Sequence, residues 1–296
     1  RCALKLAYIT TVYPIYLQKF YTKNPTLLQE SFESQKLILE YDAFGWADYW
    51  QVALQPLGYE VFDVLANVKP MQLAWAAENG FRNFTEEDWI QRISFEQIIR
   101  FRPDILFVDD YFSFSADWVH TLRMRCPSIR LVLGWCAAPY KDASIFKEFD
   151  VVLSCSPELV QDFAAQGHAS YHLNHAFDPR NLQKIVDKPG SPVIDFSFVG
   201  QIMLANNYHV KRAQMLTELV QHVNMEIYSP MSELPNQIEQ LKPFLRPSVF
   251  GLEMFNTLKR SKMTFNSHID LSANSACNMR LFEATGMGTC LVTDWK

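Results

Sequence analysis

Arg280 and Glu283 stand three residues apart in the string NMRLFEATGMG, so on a helix they share one face. A cation in a first helical turn opposes the helix dipole, and a phosphate nearby would account for it. Asn278, just ahead, can cap that helix with its side-chain amide, and Gly286 and Gly288 end it before the apolar strand Thr289 to Val292. Upstream, Ser272, Ala273, Asn274, Ser275 and Ala276 form a small polar run whose backbone amides can approach an anion closely, as nests do. His268 follows an apolar run directly and brings an imidazole to the same stretch. In the first half, Asp110 and its neighbour Asp109 come right after ILFV, and Asp48 lies in FGWADYW. A carboxylate at the end of a strand can orient a hydroxyl or take its proton. Plainer roles exist for each: Asn278 as a cap alone, Arg280 with Glu283 as a solvated ion pair of small worth, and either aspartate of the pair, Asp110 especially, as the cap of a helix at 115–124.

These residues need strands and helices to hold them. Leu4 to Thr10 reads as a buried first strand, followed by a polar and aromatic loop, a helix over 27–40, a helix towards Pro56 and a strand Val61 to Leu65. Thr85 with Asp88 offers a capping-box start for a helix reaching Arg100, before strands at Ile105 to Val108, Leu131 to Leu133 and Val151 to Leu153. Ser156, Pro157 and Gly167 bracket a further helix whose inner stripe is Leu159, Val160, Phe163 and Ala164. Helix and strand alternate, which predicts a parallel sheet covered by helices. The charged, proline-containing stretch Asp178 to Pro192 reads as a linker, giving domains over 1–185 and 192–296. The second alternation runs through Ile194 to Val199, a helix carrying Val210, Ala213, Leu216, Val220 and Val223, and strands at Ile227 to Tyr228, Met263 to Phe265 and Leu291 to Val292. Ligands of such sheets sit beyond the carboxyl ends of the strands, which selects Gly200, His268 and the helix from Asn278 to Glu283.

Composition narrows the function. The chain has 296 residues, 49% of them hydrophobic, which suffices for two cores. A net charge of -5 leaves no basic face for nucleic acid. No run of eighteen apolar residues marks a membrane span, and six cysteines without metal-type spacing read as reduced thiols of a cytoplasmic protein. No Asp-any-Asp triplet occurs to clamp a metal on a diphosphate. Aromatic residues, 14% of the chain, cluster at Tyr13 to Tyr21 and Phe44 to Trp50, with Trp75, Tyr111 and Trp135 besides. They are suited to stacking on sugars, and still more to core packing.

The string NMRLFEATGMGTCLVTD resembles the C-terminal signature of the group 1 glycosyltransferases, in particular the branch related to bacterial spore-coat maturation glycosyltransferases. FSFVGQ is similar to the opening of that family's donor domain. The resemblance implies a GT-B fold, two doubly wound Rossmann-like domains facing a cleft, with the second cut short at Lys296 as in a fragment. It implies transfer of a sugar from a nucleoside-diphosphate sugar to a glycan or other hydroxyl acceptor in surface polysaccharide or glycoconjugate synthesis, with retention of configuration favoured. Glu283 would then accept hydrogen bonds from the donor ribose, as an acceptor-only carboxylate can. Arg280, Arg212 and Gly200 would serve the diphosphate, Asn274, Ser275 and Asn278 would complete the donor site, and His268 would bond the sugar or diphosphate. Asp48 and Asp110 would serve the acceptor. No cofactor beyond the donor and no metal is implied, and a peripheral membrane contact is left open. In one place the chain departs from the family: many retaining members carry two glutamates separated by seven residues, and the position of the first is Ser275. That departure keeps two alternatives in view, a non-catalytic nucleotide-sugar-binding or scaffold protein of the same fold, and a GT-B isomerase or hydrolase of nucleotide sugars.

Overall fold

The run Leu4–Thr10 forms strand β1, buried from Leu6 onward, in a computed structural model that describes residues 3–138, 140, 142–185, 193–230, 236–269 and 274–296. After it come α1 (Pro14–Lys23), α2 (Phe32–Tyr41), α3 (Tyr49–Leu54), β2 (Tyr59–Leu65), α4 (Lys69–Glu78), α5 (Trp89–Phe101), β3 (Ile105–Val108), α6 (Ala116–Arg125), β4 (Leu131–Trp135), β5 (Val151–Ser154), α7 (Pro157–Ala165) and β6 (Ala169–His172). The strands make one parallel sheet in the order β2-β1-β3-β4-β5-β6. Helical crossovers impose the parallel direction, and helices covering the sheet explain why its central strands are apolar runs rather than alternating ones. Ile9, Leu106, Val108, Val132 and Val152 form its core with Leu122, Phe146 and Phe163. Gly134 admits the Phe149 ring so closely that a Cβ there would stand 2.4 Å from it.

The chain continues with α8 (Arg180–Lys184), β7 (Ile194–Val199), α9 (Val210–Leu219), β8 (Met225–Tyr228), β9 (Leu245–Arg246), α10 (Gly251–Arg260), β10 (Ser261–Asn266), α11 (Met279–Gly286) and β11 (Cys290–Thr293). Here the parallel order is β11-β10-β7-β8-β9. Two units result: Arg1–Ser154 with Leu159–His172, and Cys155–Glu158 with Leu173–Lys296. The stretch 173–185 therefore packs with the second unit and contains α8, while 186–192 of the linker reading lies outside the described residues.

Several local expectations need correction. The loop after β1 contains α1, started by Pro14 and anchored by buried Tyr16 and Phe20, a pattern too brief to stand out among polar neighbours. The helix placed at 27–40 begins only at Phe32, where Ser31 caps it by accepting from the Ser34 amide. Residues Pro25–Gln29 are a separate 3-10 turn, with Leu28 exposed. Thr85 and Asp88 do bond, but in the reverse sense: Asp88 accepts from the Thr85 amide at 2.6 Å and hydroxyl at 3.1 Å, and its side chain caps no amide of α5. Of the inner stripe on α7, Phe163 is buried and Ala164 exposed. Strands β6 and β9 escape the reading because one is a largely exposed edge and the other two residues long.

Candidate functional site

In the second sheet the strand order reverses between β7 and β10, the place where open parallel sheets bind ligands. Several side chains fasten this edge. Arg212, on α9 and 8% exposed, spreads its guanidinium over two loops: Nε donates to Ser267 Oγ at 2.9 Å, Nη2 to the Ser267 carbonyl at 2.6 Å and Nη1 to the Gln201 carbonyl at 2.7 Å. The fork geometry suits a clamp, and the structure places Arg212 as the tie between the turns after β7 and β10. Asn266 and Asn278 exchange amide bonds, 2.7 Å from Asn278 Nδ2 and 3.3 Å in return, and Asn266 also donates to Thr293 Oγ1 at 3.1 Å. His268 is 4% exposed, with Nδ1 2.7 Å from Asp294 Oδ1.

The Asn pair corrects the reading of Asn278. Its backbone is extended and begins α11, yet its side chain caps nothing, because Asn266 has taken it. Among the described residues no side chain caps the first amides of α11, at the positive end of the helix. The Gly200 amide donates to the Tyr228 carbonyl at 3.1 Å, continuing the ladder. A Cβ there would meet the Phe198 ring at 3.1 Å, which gives the glycine a packing reason.

Arg280 and Glu283 form a largely buried pair, not a solvated one. Nη1 donates to Glu283 Oε2 at 2.6 Å, and the side chains are 16% and 12% exposed. The cation at the start of α11 is thus neutralised by its own helix one turn on. Glu283 Oε1 has no hydrogen bond among the described residues, and the buried Nε of Arg280 likewise lacks a partner. One carboxylate oxygen is held while the other stays open to a donor.

The small polar loop does bind an anion, but a different one. Ser275 Oγ donates to Glu158 Oε1 at 2.8 Å, the Asn274 amide adds a bond, and Ser156 Oγ donates to Oε2 at 2.9 Å. Glu158's own amide and then Ser275 hold its carboxyl below the usual range. The cradle expected to take phosphate at Asn274 and Ser275 holds a protein carboxylate; Ser272 and Ala273, which the same reading included, lie outside the described residues.

In the first sheet the order reverses between β1 and β3, which brings Thr10 and Thr11 beside Asp109 and Asp110. Asp110 is fully engaged: it accepts from Thr11 Oγ1 and Ser113 Oγ, each at 2.6 Å, and from the amides of Phe112 and Ser113. A carboxylate so bonded fastens a turn. It does not cap α6; Ser115 does. Asp109, by contrast, has its carboxyl raised by burial, with bonds from Thr10 at 2.7 Å and Tyr8 at 3.0 Å opposing. Asp48, at the start of α3, lies in a charge cluster with Lys36, Glu40 and Asp63; burial raises the carboxyls of the last two, and Asp48 adds to the rise. The turn leading to it is tight: Gly45 has φ +62, and Ala43 and Ala47 also take left-handed values of 58 and 41. Of the aromatic residues, Trp46, Trp50 and Phe107 group around Tyr8 at centroid separations of 5.3–6.5 Å.

Two residues of these sites escaped the sequence reading. Asp294 is an acid directly after the last strand, which is itself the signal. Glu158 follows a Ser-Pro helix start and carries no cue that Ser275, 117 positions later, would meet it.

Solved structures with this architecture include a glycosyltransferase from Rickettsia africae ESF-5, 10% identical, with a TM-score of 0.50 over 99% of this chain and 79% of that one. A UDP-N-acetylglucosamine 2-epimerase from Rickettsia bellii is 12% identical, with a TM-score of 0.42 over 89% and 74%. The E. coli heptosyltransferase WaaC is 9% identical, with a TM-score of 0.42 over 98% and 88%. The chain has the α/β GT-B fold, with its two parallel sheets. Within it, residues 211–296, which carry Arg212, His268 and α11, match the family described as glycosyl transferase-like. No curated protein sequence matches the chain.

Proposed function

We propose that the protein binds a nucleoside-diphosphate sugar on its second unit and transfers the sugar to an acceptor hydroxyl. The observation that carries this reading is the state of α11: among the described residues its first amides have no side-chain cap, and Glu283, fixed by Arg280, keeps one oxygen unbonded. Uncapped helix amides favour phosphate, and an open carboxylate oxygen favours a sugar hydroxyl. Both lie on the segment that matches the glycosyl transferase-like family. Asp109, at the reversal point of the first sheet, is the better choice for accepting a proton from the acceptor, with Asp110 shaping the turn beside it. Retention of configuration, a glycan acceptor in surface polysaccharide synthesis and kinship with the spore-coat maturation branch extend this reading on the strength of the string NMRLFEATGMGTCLVTD. In such an enzyme the leaving diphosphate is stabilised by helix amides already in place, so little reorganisation is needed at the moment of transfer.

One observation favours a second reading. The Asn274–Ser275 loop is filled by Glu158, and a carboxylate seated there competes with a phosphate. A protein that binds nucleotide sugars without transferring them would keep such a plug. Incubation with a panel of sugar nucleotides and hydroxyl acceptors tests both. Acceptor-dependent release of nucleotide supports transfer, and binding without turnover supports the second reading.

A further inference from the structure

We infer that Asp294 is a positioning residue which fixes His268 as its Nδ1–H tautomer, so that Nε2 is presented as a hydrogen-bond acceptor for a hydroxyl of the bound sugar nucleotide. The inference rests on the nucleotide-sugar reading for its ligand, and on geometry for the rest. Asp294 Oδ1 lies 2.7 Å from His268 Nδ1, and the two carboxylate oxygens lie 3.2 and 3.4 Å from the His268 amide. Thr293 Oγ1 adds a bond at 3.3 Å. Burial works to raise this carboxyl, but the bonds from His268 outweigh it and hold the group below the usual range. An ionised carboxylate only accepts, so Nδ1 must carry the proton. When the ring carries a single proton, its lone pair is then on Nε2, which is buried and has no partner among the described residues.

A buried polar atom left unbonded costs free energy that a ligand group can recover. Nε2 is the atom that needs a donor, and a sugar hydroxyl supplies one, whereas an ionised phosphate supplies only acceptors. The position fits: His268 follows β10 and Asp294 follows β11, both on the carboxyl edge of the second sheet. Arg212, bonded to the Ser267 carbonyl and hydroxyl, holds the backbone one residue before the ring. The ring is therefore fixed from two sides, with its orientation set by the carboxylate and its place by the guanidinium.

Long-range proton–nitrogen correlation spectra of histidine-labelled protein test the claim, with the His268 signals assigned by their loss in His268→Ala. At pH 7.5 the wild-type ring should show a protonated Nδ1 and a pyridine-like Nε2. Asp294→Ala should shift the balance towards the Nε2–H form, and Asp294→Asn, whose amide oxygen still accepts, should restore the original pattern. By calorimetry, sugar-nucleotide affinity should fall about tenfold in Asp294→Ala, a loss of one hydrogen bond's worth. It should fall no further when His268→Ala is added, and remain within about threefold in Asp294→Asn, all variants keeping wild-type circular dichroism. A protonated Nε2 in the wild type, an unchanged ring in Asp294→Ala, or additive losses in the double variant would overturn the inference. If the wild type binds no sugar nucleotide, the functional reading fails, and the spectra still decide what Asp294 does to the ring.

Discussion

Asp63 is the most exposed point of the stability account, because it is a carboxylate with nothing to bond. It sits on β2 in register with Tyr8, 1% exposed, with neither oxygen hydrogen-bonded among the described residues. Burial is the chief cause that pushes its pKa up from 3.8 to about 7; Lys36 opposes the rise, and Glu40 and Asp48 add to it. Lys36 is already paired with Glu40, so its help to Asp63 is shared. The folded state therefore holds this proton more tightly than the unfolded chain does. Stability from that difference is full below pH 4, and is lost as pH rises through 7. At pH 5 the group contributes about 1.36 × (7 − 5), or about 2.7 kcal/mol, and at pH 8 close to none. Asp63→Asn cannot ionise, so relative to wild type it should gain about 2.7 kcal/mol between pH 5 and pH 8. Glu40, also raised by burial, titrates in both proteins, so its own contribution enters both curves. Urea unfolding of both proteins at the two pH values measures it from the midpoints, provided the slopes agree. The same wild-type-to-variant difference at pH 5 and pH 8 would refute the reasoning.

Other perturbations bear on the packing and the turns. Gly134→Ala should lower stability by about 1–3 kcal/mol, because its Cβ would have to displace the Phe149 ring from 2.4 Å; thermal melts will show it. Arg212→Met should cost about 3 kcal/mol by leaving the Gln201 and Ser267 carbonyls without their donor, and should loosen both turns in hydrogen exchange. Asp110→Ala should cost about 1–3 kcal/mol in urea unfolding by releasing the Phe112 and Ser113 amides. A loss of transfer rate above a thousandfold with unchanged stability would instead make Asp110 the base.

Much of the fold is legible in the chain. Apolar runs such as ILFV and IDFSFV are strands because parallel strands buried on both faces have no polar alternative. The rule that places ligands at the carboxyl ends of those strands selected His268, which does follow β10, and the helix α11. What stayed hidden depends on partners distant in sequence. Asn278 looks like a cap until Asn266 takes its amide, and Arg212 looks like a surface cation until two loops close over it. Asn274 and Ser275 have the chemistry of an anion cradle, and only the folded chain shows that Glu158 occupies it. The charge cluster around Asp63 was invisible for the same reason, since its members come from α2, the turn before α3 and β2.

The central claim is that α11 and Glu283 receive a nucleoside diphosphate. Isothermal calorimetry of uridine, guanosine and adenosine diphosphates with wild type and Glu283→Ala tests it most directly. The account predicts that one nucleotide binds the wild type, and that the variant, folded by circular dichroism, binds it about ten- to hundredfold more weakly, as loss of a charged hydrogen-bond acceptor requires. No binding to the wild type by any of the three, or unchanged affinity in the folded variant, would contradict it.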